Sequence, residues 1–226
     1  MFIVPSTLAT AVRYPLGLKI SALGARPTQQ LELYDFEACP FCRKAREALT
    51  MLDLDVLVKP SPRGGTHWRA EAIARGGKAQ FPLLVDGDTL IYESDAIVAH
   101  LYERYGAGTA PLWTRLGPIN TMSSALASAM RAGNGRAVQP HRDAAQPLEL
   151  WSFESSPYCR RVREVLCELE LAYVLHNVGK GSPKRTEFRE RAGKVQVPYL
   201  EDPNTGAHMF ESRDIVRYLR TTYGSP

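Results

Sequence analysis

From Leu31 to Phe36 apolar and polar side chains alternate, which predicts a strand with one face buried. Ala45, Ala48, Leu49 and Leu52 then recur at helical spacing and predict a helix over Arg43–Leu52. Asp55–Val58 follows as a short strand, Pro60 to Gly65 as a loop, and His67–Arg75 as a helix stopped by Gly76-Gly77. Phe81–Val85 and Thr89–Tyr92 flank Asp86-Gly87-Asp88, a hairpin turn sequence. Ile97, Val98, Leu101 and Tyr105 mark one face of a last helix from Ser94 to Tyr105.

The same pattern then recurs. Residues 148–171 align with residues 31–54 at an offset of 117, with 13 of 24 positions identical. Leu148–Phe153, Arg160–Leu169, Val174–Asn177, Thr186–Arg191, Tyr199–Leu200, Met209–Phe210 and Ser212–Tyr223 repeat the order βαβαββα. The predicted class is α/β, with two tandem domains over 31–106 and 148–226, preceded by a segment 1–30 and joined by a connector, 107–147. In the connector, Met122, Leu126 and Met130 predict one helix around Thr121–Ala132, ended by Gly133-Asn134-Gly135. Val138–Pro147, with two prolines and no apolar period, reads as linker. The Met/Leu stripe packs between the domains or lines an apolar substrate groove. The segment 1–30 is expected to pack on the first domain; its lack of acids resembles a transit peptide, but Pro5, Pro15, Gly17 and Pro27 break any long amphipathic helix.

Composition narrows the function little. Against 24 acids the 28 Lys and Arg leave a net charge of +4, too mild to argue for nucleic acid. No apolar run reaches the length of a membrane span. Four cysteines (39, 42, 159 and 167) in 226 residues make no disulfide framework, so a reducing, cytoplasmic setting is expected, with an organellar stroma as the alternative.

The chemistry concentrates where the first strand of each copy meets its first helix. The first copy reads Cys39-Pro40-Phe41-Cys42, the second Ser156-Pro157-Tyr158-Cys159. Proline is tolerated at the first helical position, so Cys39 sits at a helix N-terminus, where free N–H groups and the helix dipole favour an anion. Arg43, Lys44 and Arg46 add positive charge, and a thiol so placed ionises in the range of about 3.5–7.5. Cys42, one turn on, faces inward and can resolve a mixed disulfide on Cys39. Zinc would need further ligands that the second copy does not supply; a cluster shared with glutathione and a structural pair are the other readings. No metal is expected.

Two further markers recur. Gln80-Phe81-Pro82 and Gln196-Val197-Pro198 each open a strand after a Gly-Lys-x-Gln tract, which suggests cis X-Pro bonds. Such a bond would leave the backbone of Phe81 or Val197 free to pair with an extended thiol peptide. Glu93-Ser94 and Glu211-Ser212 each precede the last helix. There Ser is an N-cap, or it and the helix N-terminus hold a carboxylate while Glu meets an ammonium group. Glutathione carries both groups at its γ-glutamyl end.

Together Cys-Pro-x-Cys, the strand-opening proline and the Glu-Ser pair resemble the thioredoxin-fold domain shared by glutaredoxins and glutathione S-transferases. The tandem arrangement is similar to proteins with two glutathione S-transferase N-terminal domains. The resemblance implies Cys39 as nucleophile, Cys42 as resolving thiol, Phe81 and Pro82 beside the glutathione cysteinyl backbone, and Glu93 and Ser94 at its γ-glutamyl end. In the second copy Val197, Pro198, Glu211 and Ser212 match, while Ser156 either hydrogen-bonds a glutathione thiolate or only caps its helix.

The implied function is glutathione-dependent thiol–disulfide exchange, with glutathione as co-substrate and a disulfide or glutathionylated thiol as partner. Conjugation of an electrophile, as a glutathione S-transferase performs, is the alternative, though that activity uses an all-helical domain for which the connector is too short. A binding or scaffold protein without turnover is the third reading. Cys159 and Cys167 are expected to be buried and inert. The five histidines show no ligand spacing and read as incidental. Arg160-Arg161-Val162-Arg163 and Lys184-Arg185 read as solvated faces with a modest pull on anions.

Overall fold

The computed structural model describes residues 7, 16–21, 23–106, 111, 122–126 and 133–225. The first copy comprises β1 (Glu32–Asp35), α1 (Pro40–Met51), β2 (Val56–Pro60), α2 (Trp68–Gly76), β3 (Leu83–Asp86), β4 (Thr89–Tyr92) and α3 (Ser94–Tyr105). The second comprises β5 (Leu148–Ser152), α4 (Pro157–Glu168), β6 (Tyr173–Asn177), α5 (Arg185–Ala192), β7 (Tyr199–Asp202), β8 (Ala207–Phe210) and α6 (Ser212–Tyr223). Both are βαβαββα, as the apolar pattern predicts. Residues 122–126 form part of the expected connector helix; 127–132 lie outside the described residues. No described helix is long and apolar enough to cross a membrane.

The eight strands form one sheet, in the order β4-β3-β1-β2-β6-β5-β7-β8. That order is its own mirror under exchange of the copies. At its centre β2 and β6 run antiparallel, with Leu57 opposite Val174. These two positions are equivalent in the repeat, so a pseudo-two-fold axis passes between them, perpendicular to the sheet. Pairing β2 with β6 also covers the edge that each copy would otherwise expose.

Successive strand residues point to opposite faces, and the two faces are packed differently. On one, Leu33, Leu49, Leu101, Leu150, Leu166 and Leu219 belong to a single apolar cluster fed by α1, α3, α4 and α6. On the other, α2 covers Tyr34 and Leu83, and α5 covers Trp151 and Tyr199. The main core therefore runs through both copies.

Crossed straps complete the unit. The segment before the first copy was expected to pack on that copy, but it reaches both. Ser155 N–H donates to Gly17 O (3.1 Å) and Ile20 N–H to Lys180 O (3.0 Å), while Ser21 N–H bonds Met51 O (2.7 Å). The end of the connector, from the glycine stop into the tract read as linker, does the reciprocal. Ala38 N–H donates to Gly135 O (3.3 Å), Val138 N–H to Arg63 O (3.0 Å) and Gln139 N–H to Glu168 O (2.7 Å). Gly17 and Gly135 both have φ near +65° (65° and 68°), and a Cβ on either would lie 2.8 Å from the Cβ of Glu154 or Glu37. Only glycine fits there.

Candidate active site at the cysteine turn

The sheet register gathers the three sequence markers. Tyr34 pairs with Leu83, and Leu83 with Tyr92. The end of β1, the start of β3 and the end of β4 therefore share one edge. The cysteine turn, Pro82 and Glu93-Ser94 extend from that edge. In the second copy Trp151 pairs with Tyr199 and Tyr199 with Phe210, which brings Ser156, Val197-Pro198 and Glu211-Ser212 together likewise.

α1 begins at Pro40, three residues before the apolar period starts, because Cys39 caps it. The Cys39 Sγ accepts the Cys42 N–H at 3.3 Å. The Ser156 Oγ accepts the Cys159 N–H at the same distance. The Cys39 thiol is held below its ordinary range, first by a hydrogen bond from the Cys42 thiol, with further help from the Cys42 and Phe41 amides and Arg46, against an opposing effect of burial. Burial, and then the bond to Cys39, push the Cys42 thiol well above the ordinary range. The pair thus divides into a prospective thiolate and a retained proton donor.

Access to the sulfur is restricted. Cys39 is only 3% exposed and Cys42 is fully buried. The connector lies on the turn, with Ser124 Oγ donating to Pro40 O at 2.7 Å. Phe41, between the two cysteines, is 44% exposed.

Both expected cis bonds, Phe81–Pro82 and Val197–Pro198, are present. The Phe81 ring meets Phe36 edge-on, at 6.5 Å between centroids, and the Arg69 guanidinium lies 4.7 Å from the Phe81 centroid. The Glu-Ser reading needs a correction. Ser94 and Ser212 are the first residues of α3 and α6, not their N-caps; Glu93 and Glu211 occupy the cap positions. Both glutamates have φ of 68°, a region that non-glycine residues rarely adopt. With that backbone their carboxylates turn outward, where they accept hydrogen bonds from Gln80 and Gln196.

Buried charge is the feature that the sequence reading missed. Arg43, Arg46, Arg160 and Arg163 are all essentially inaccessible, so the run 160–163 is not a solvated face. Arg46 Nε lies 3.0 Å from Glu154 Oε2, and Arg163 Nη2 lies 2.7 Å from the same oxygen. Glu37 Oε2 is 3.2 Å from both Arg46 Nη2 and Arg163 Nε. Two arginines and two glutamates, one of each from each copy, close a ring across the pseudo-two-fold axis. Asp35 also pairs with Arg46, whereas its counterpart Ser152 accepts from Arg163 Nη1 at 3.1 Å. Burial raises the Asp35 carboxyl above its ordinary range against the pull of Arg46. The Glu154 carboxyl lies below its range, because Arg163 and Arg46 outweigh burial.

Cys159 and Cys167 are buried, as expected. Cys167 Sγ accepts the Glu37 N–H at 3.4 Å, just as Thr50 Oγ1, its counterpart, accepts the Glu154 N–H at 3.2 Å. His176 is not incidental. Its Nδ1 lies 3.0 Å from Asp55 and its Nε2 2.5 Å from Glu149. Lys184 also pairs with Asp55, and Arg185 Nε donates to Val178 O and Gly179 O (3.1 and 3.0 Å), so neither is merely a solvated charge. A cleft of about 670 Å³ lies beside β7 and β8 at the far end of the sheet, where Arg191, Glu201 and Tyr199 pair among themselves. Among the described residues, no group of three or more His, Cys, Asp and Glu could hold a metal ion.

Comparison with known proteins agrees with this double architecture. The model of the family described as glutathione S-transferase, N-terminal domain, matches residues 33–110 and again 150–226. Glutathione S-transferase 4 of Zea mays is 34% identical over 79 residues, which are 34% of this chain and 35% of that protein. The chain thus spans about a third of the length of that relative. Among solved structures, the glutathione transferase BmGSTD1 of Bombyx mori overlaps 37% of this chain and 39% of its own, at 26% identity and a TM-score of 0.34. The Leishmania glutathione transferase TDR1 overlaps 86% of this chain and 67% of its own, at 14% identity and a TM-score of 0.31. With the family model matched over more than half of its residues, the chain belongs to the glutathione S-transferase N-terminal domain family and carries that domain twice.

Proposed function

We propose that the protein is a glutathione-dependent thiol–disulfide oxidoreductase with Cys39 as its nucleophile. One observation carries this reading: the Cys39 sulfur caps α1, accepts the Cys42 N–H at 3.3 Å, and is held below its ordinary pKa range while Cys42 is held above it. The family supports glutathione as the thiol ligand.

The Cys39 thiolate attacks the glutathione sulfur of a glutathionylated thiol. A bond from Cys39 to the glutathione sulfur forms, the substrate's S–S bond breaks, and the substrate leaves as a thiolate that takes a proton. A second glutathione thiolate then attacks the mixed disulfide, releasing oxidised glutathione and restoring the Cys39 thiolate. Cys42 can instead attack the Cys39 sulfur, forming a 39–42 disulfide and expelling glutathione. A buried thiol with a raised pKa supplies little thiolate for that attack, so release by glutathione is favoured. In this reading Phe81 and Pro82 would pair with the glutathione cysteinyl backbone, and Glu93 and Ser94 would hold its γ-glutamyl end. In the second copy Ser156, Val197, Pro198, Glu211 and Ser212 would be the corresponding residues for a second glutathione, without a nucleophilic sulfur at the cap.

The assay is glutathione-coupled reduction of a glutathionylated peptide. Turnover abolished by Cys39→Ser and retained in part by Cys42→Ser supports the reading. Conjugation of an aromatic electrophile that survives Cys39→Ser would assign transferase chemistry instead. The low exposure of Cys39 favours a second reading, a glutathione-binding protein without turnover. Glutathione binding with neither activity would select it.

A further inference from the structure

The ring of buried charges lies beside the cysteine turn, and half of it comes from the other copy. Arg46 is four residues beyond Cys42 on α1, hence on the same helix face. Its guanidinium is fully buried and is divided among Asp35 at the end of β1, Glu37 in the following loop, and Glu154 of the second copy. Arg163, on α4, completes the ring by bonding both Glu37 and Glu154. Arg46 is therefore held in part from the second copy, by Glu154 directly and by Arg163 through Glu37 and Glu154.

We propose that Glu154 and Arg163 are positioning residues for the cysteine pair, acting from the second copy by holding Arg46 in place and fixing the net charge beside Cys39. The second copy, which lacks a sulfur at its own helix cap, thereby serves the first. This assigns it a role in the chemistry whether or not glutathione occupies Ser156. The inference rests on Cys39 being the working thiol, but its test reads ionisation, not turnover.

The sign follows from charge. Cys42 and Arg46 from α1 act on the Cys39 thiol directly, and Asp35 from β1 acts on Cys42, whereas Glu37 from the loop and Glu154 and Arg163 from the second copy act through the ring that Arg46 joins, with Arg160 of α4 also bearing on Glu154. Glu154→Gln removes a negative charge and leaves Arg46 tied to Asp35 and Glu37, so the thiolate forms at lower pH. Arg163→Met removes a positive charge and leaves two glutamates facing Arg46 alone, so the thiolate forms at higher pH. Both variants disturb the same ring, so lost packing would move them in one direction only.

The experiment follows the ultraviolet absorbance of the thiolate against pH in the full chain, subtracting the same background carrying Cys39→Ser. Folding is checked by circular dichroism. Opposite midpoint shifts of about half to one pH unit are expected, given an effective dielectric near 20 at such sites. Because a single change can unfold the chain, the double variant Glu154→Gln/Arg163→Met is measured too. It removes one charge of each sign and should return the midpoint close to that of the unaltered protein. Unmoved midpoints, shifts in a common direction, or a double variant that stays shifted would overturn the proposal. A Cys39 that does not ionise below the ordinary thiol range in the unaltered chain would instead sink its assignment as the nucleophile.

Discussion

His176 of the second copy bonds Asp55 of the first through Nδ1 at 3.0 Å and its own copy's Glu149 through Nε2 at 2.5 Å. In the first copy the equivalent position is Lys59, whose ammonium lies 2.7 Å from both Glu32 and Glu71. A fixed cation in one copy thus corresponds to a titrating one in the other, at the point where the titrating one ties the copies together. Burial alone would lower the His176 pKa, but its two carboxylate partners raise it to about 9.

A folded pKa above the unfolded value means that the bonus is complete below pH ~6.5 and disappears as pH rises through about 9. Thermal unfolding of the full chain should therefore lose stability between those limits, by about 3 kcal/mol. In His176→Gln that loss should be absent and the neutral-pH Tm lower. A variant that kept the same alkaline slope would show that another group is responsible.

The charge ring makes a separate prediction about stability. Removing one partner of a buried pair leaves an uncompensated charge, at about 3–5 kcal/mol. Arg163→Met should lower the denaturation free energy by roughly that amount, and adding Glu154→Gln should recover part of it. The check is a double-mutant cycle in urea. Strictly additive losses would mean that the four side chains do not act as a unit.

The straps carry a third prediction. Gly17→Ala and Gly135→Ala each place a Cβ within 2.8 Å of a glutamate Cβ at positive φ. Each should destabilise by about 1–3 kcal/mol, since backbone strain and a steric clash combine. Gly77, at φ 75° with open space around its Cβ position, provides the control, because only the backbone term applies there. If Gly77→Ala cost as much as the strap variants, the close approach of strap and glutamate would carry no energy.

Access to the cysteine is a fourth. The Ser124 hydroxyl bonds Pro40 O at 2.7 Å and holds residues 122–126 against the turn. Ser124→Ala removes a bond worth about 1 kcal/mol, so alkylation of Cys39 at fixed pH should speed up by about fivefold. An unchanged rate would mean that this contact does not limit approach to the sulfur.

Much of this fold was legible in the sequence because the repeat doubles each signal. Leu31–Phe36 and Leu148–Phe153 alternate alike, and the Pro-x-Cys turns and strand-opening prolines recur in step. What was not legible is long-range. The pairing of β2 with β6 depends on two half-buried strands meeting edge to edge, and no local period encodes it. Arg46 and Arg163 look like surface charges by residue type, yet they occupy the inward stripe with Leu49 and Leu166. The available clue was that Glu37 and Glu154, and Arg46 and Arg163, are identical in the two copies, the arginines at positions in register with Leu49 and Leu166. The caps at Glu93 and Glu211 were misplaced by one residue because serine is the commoner cap, and a glutamate at positive φ leaves no compositional trace.

The most direct test of the account is mass spectrometry of the full chain after exposure to oxidised glutathione, with and without Cys42→Ser. A single glutathione adduct on Cys39 is expected in the Cys42→Ser variant, and an adduct or a 39–42 disulfide in the unaltered chain. A protein left unmodified, or modified at Cys159 or Cys167 instead, would contradict it.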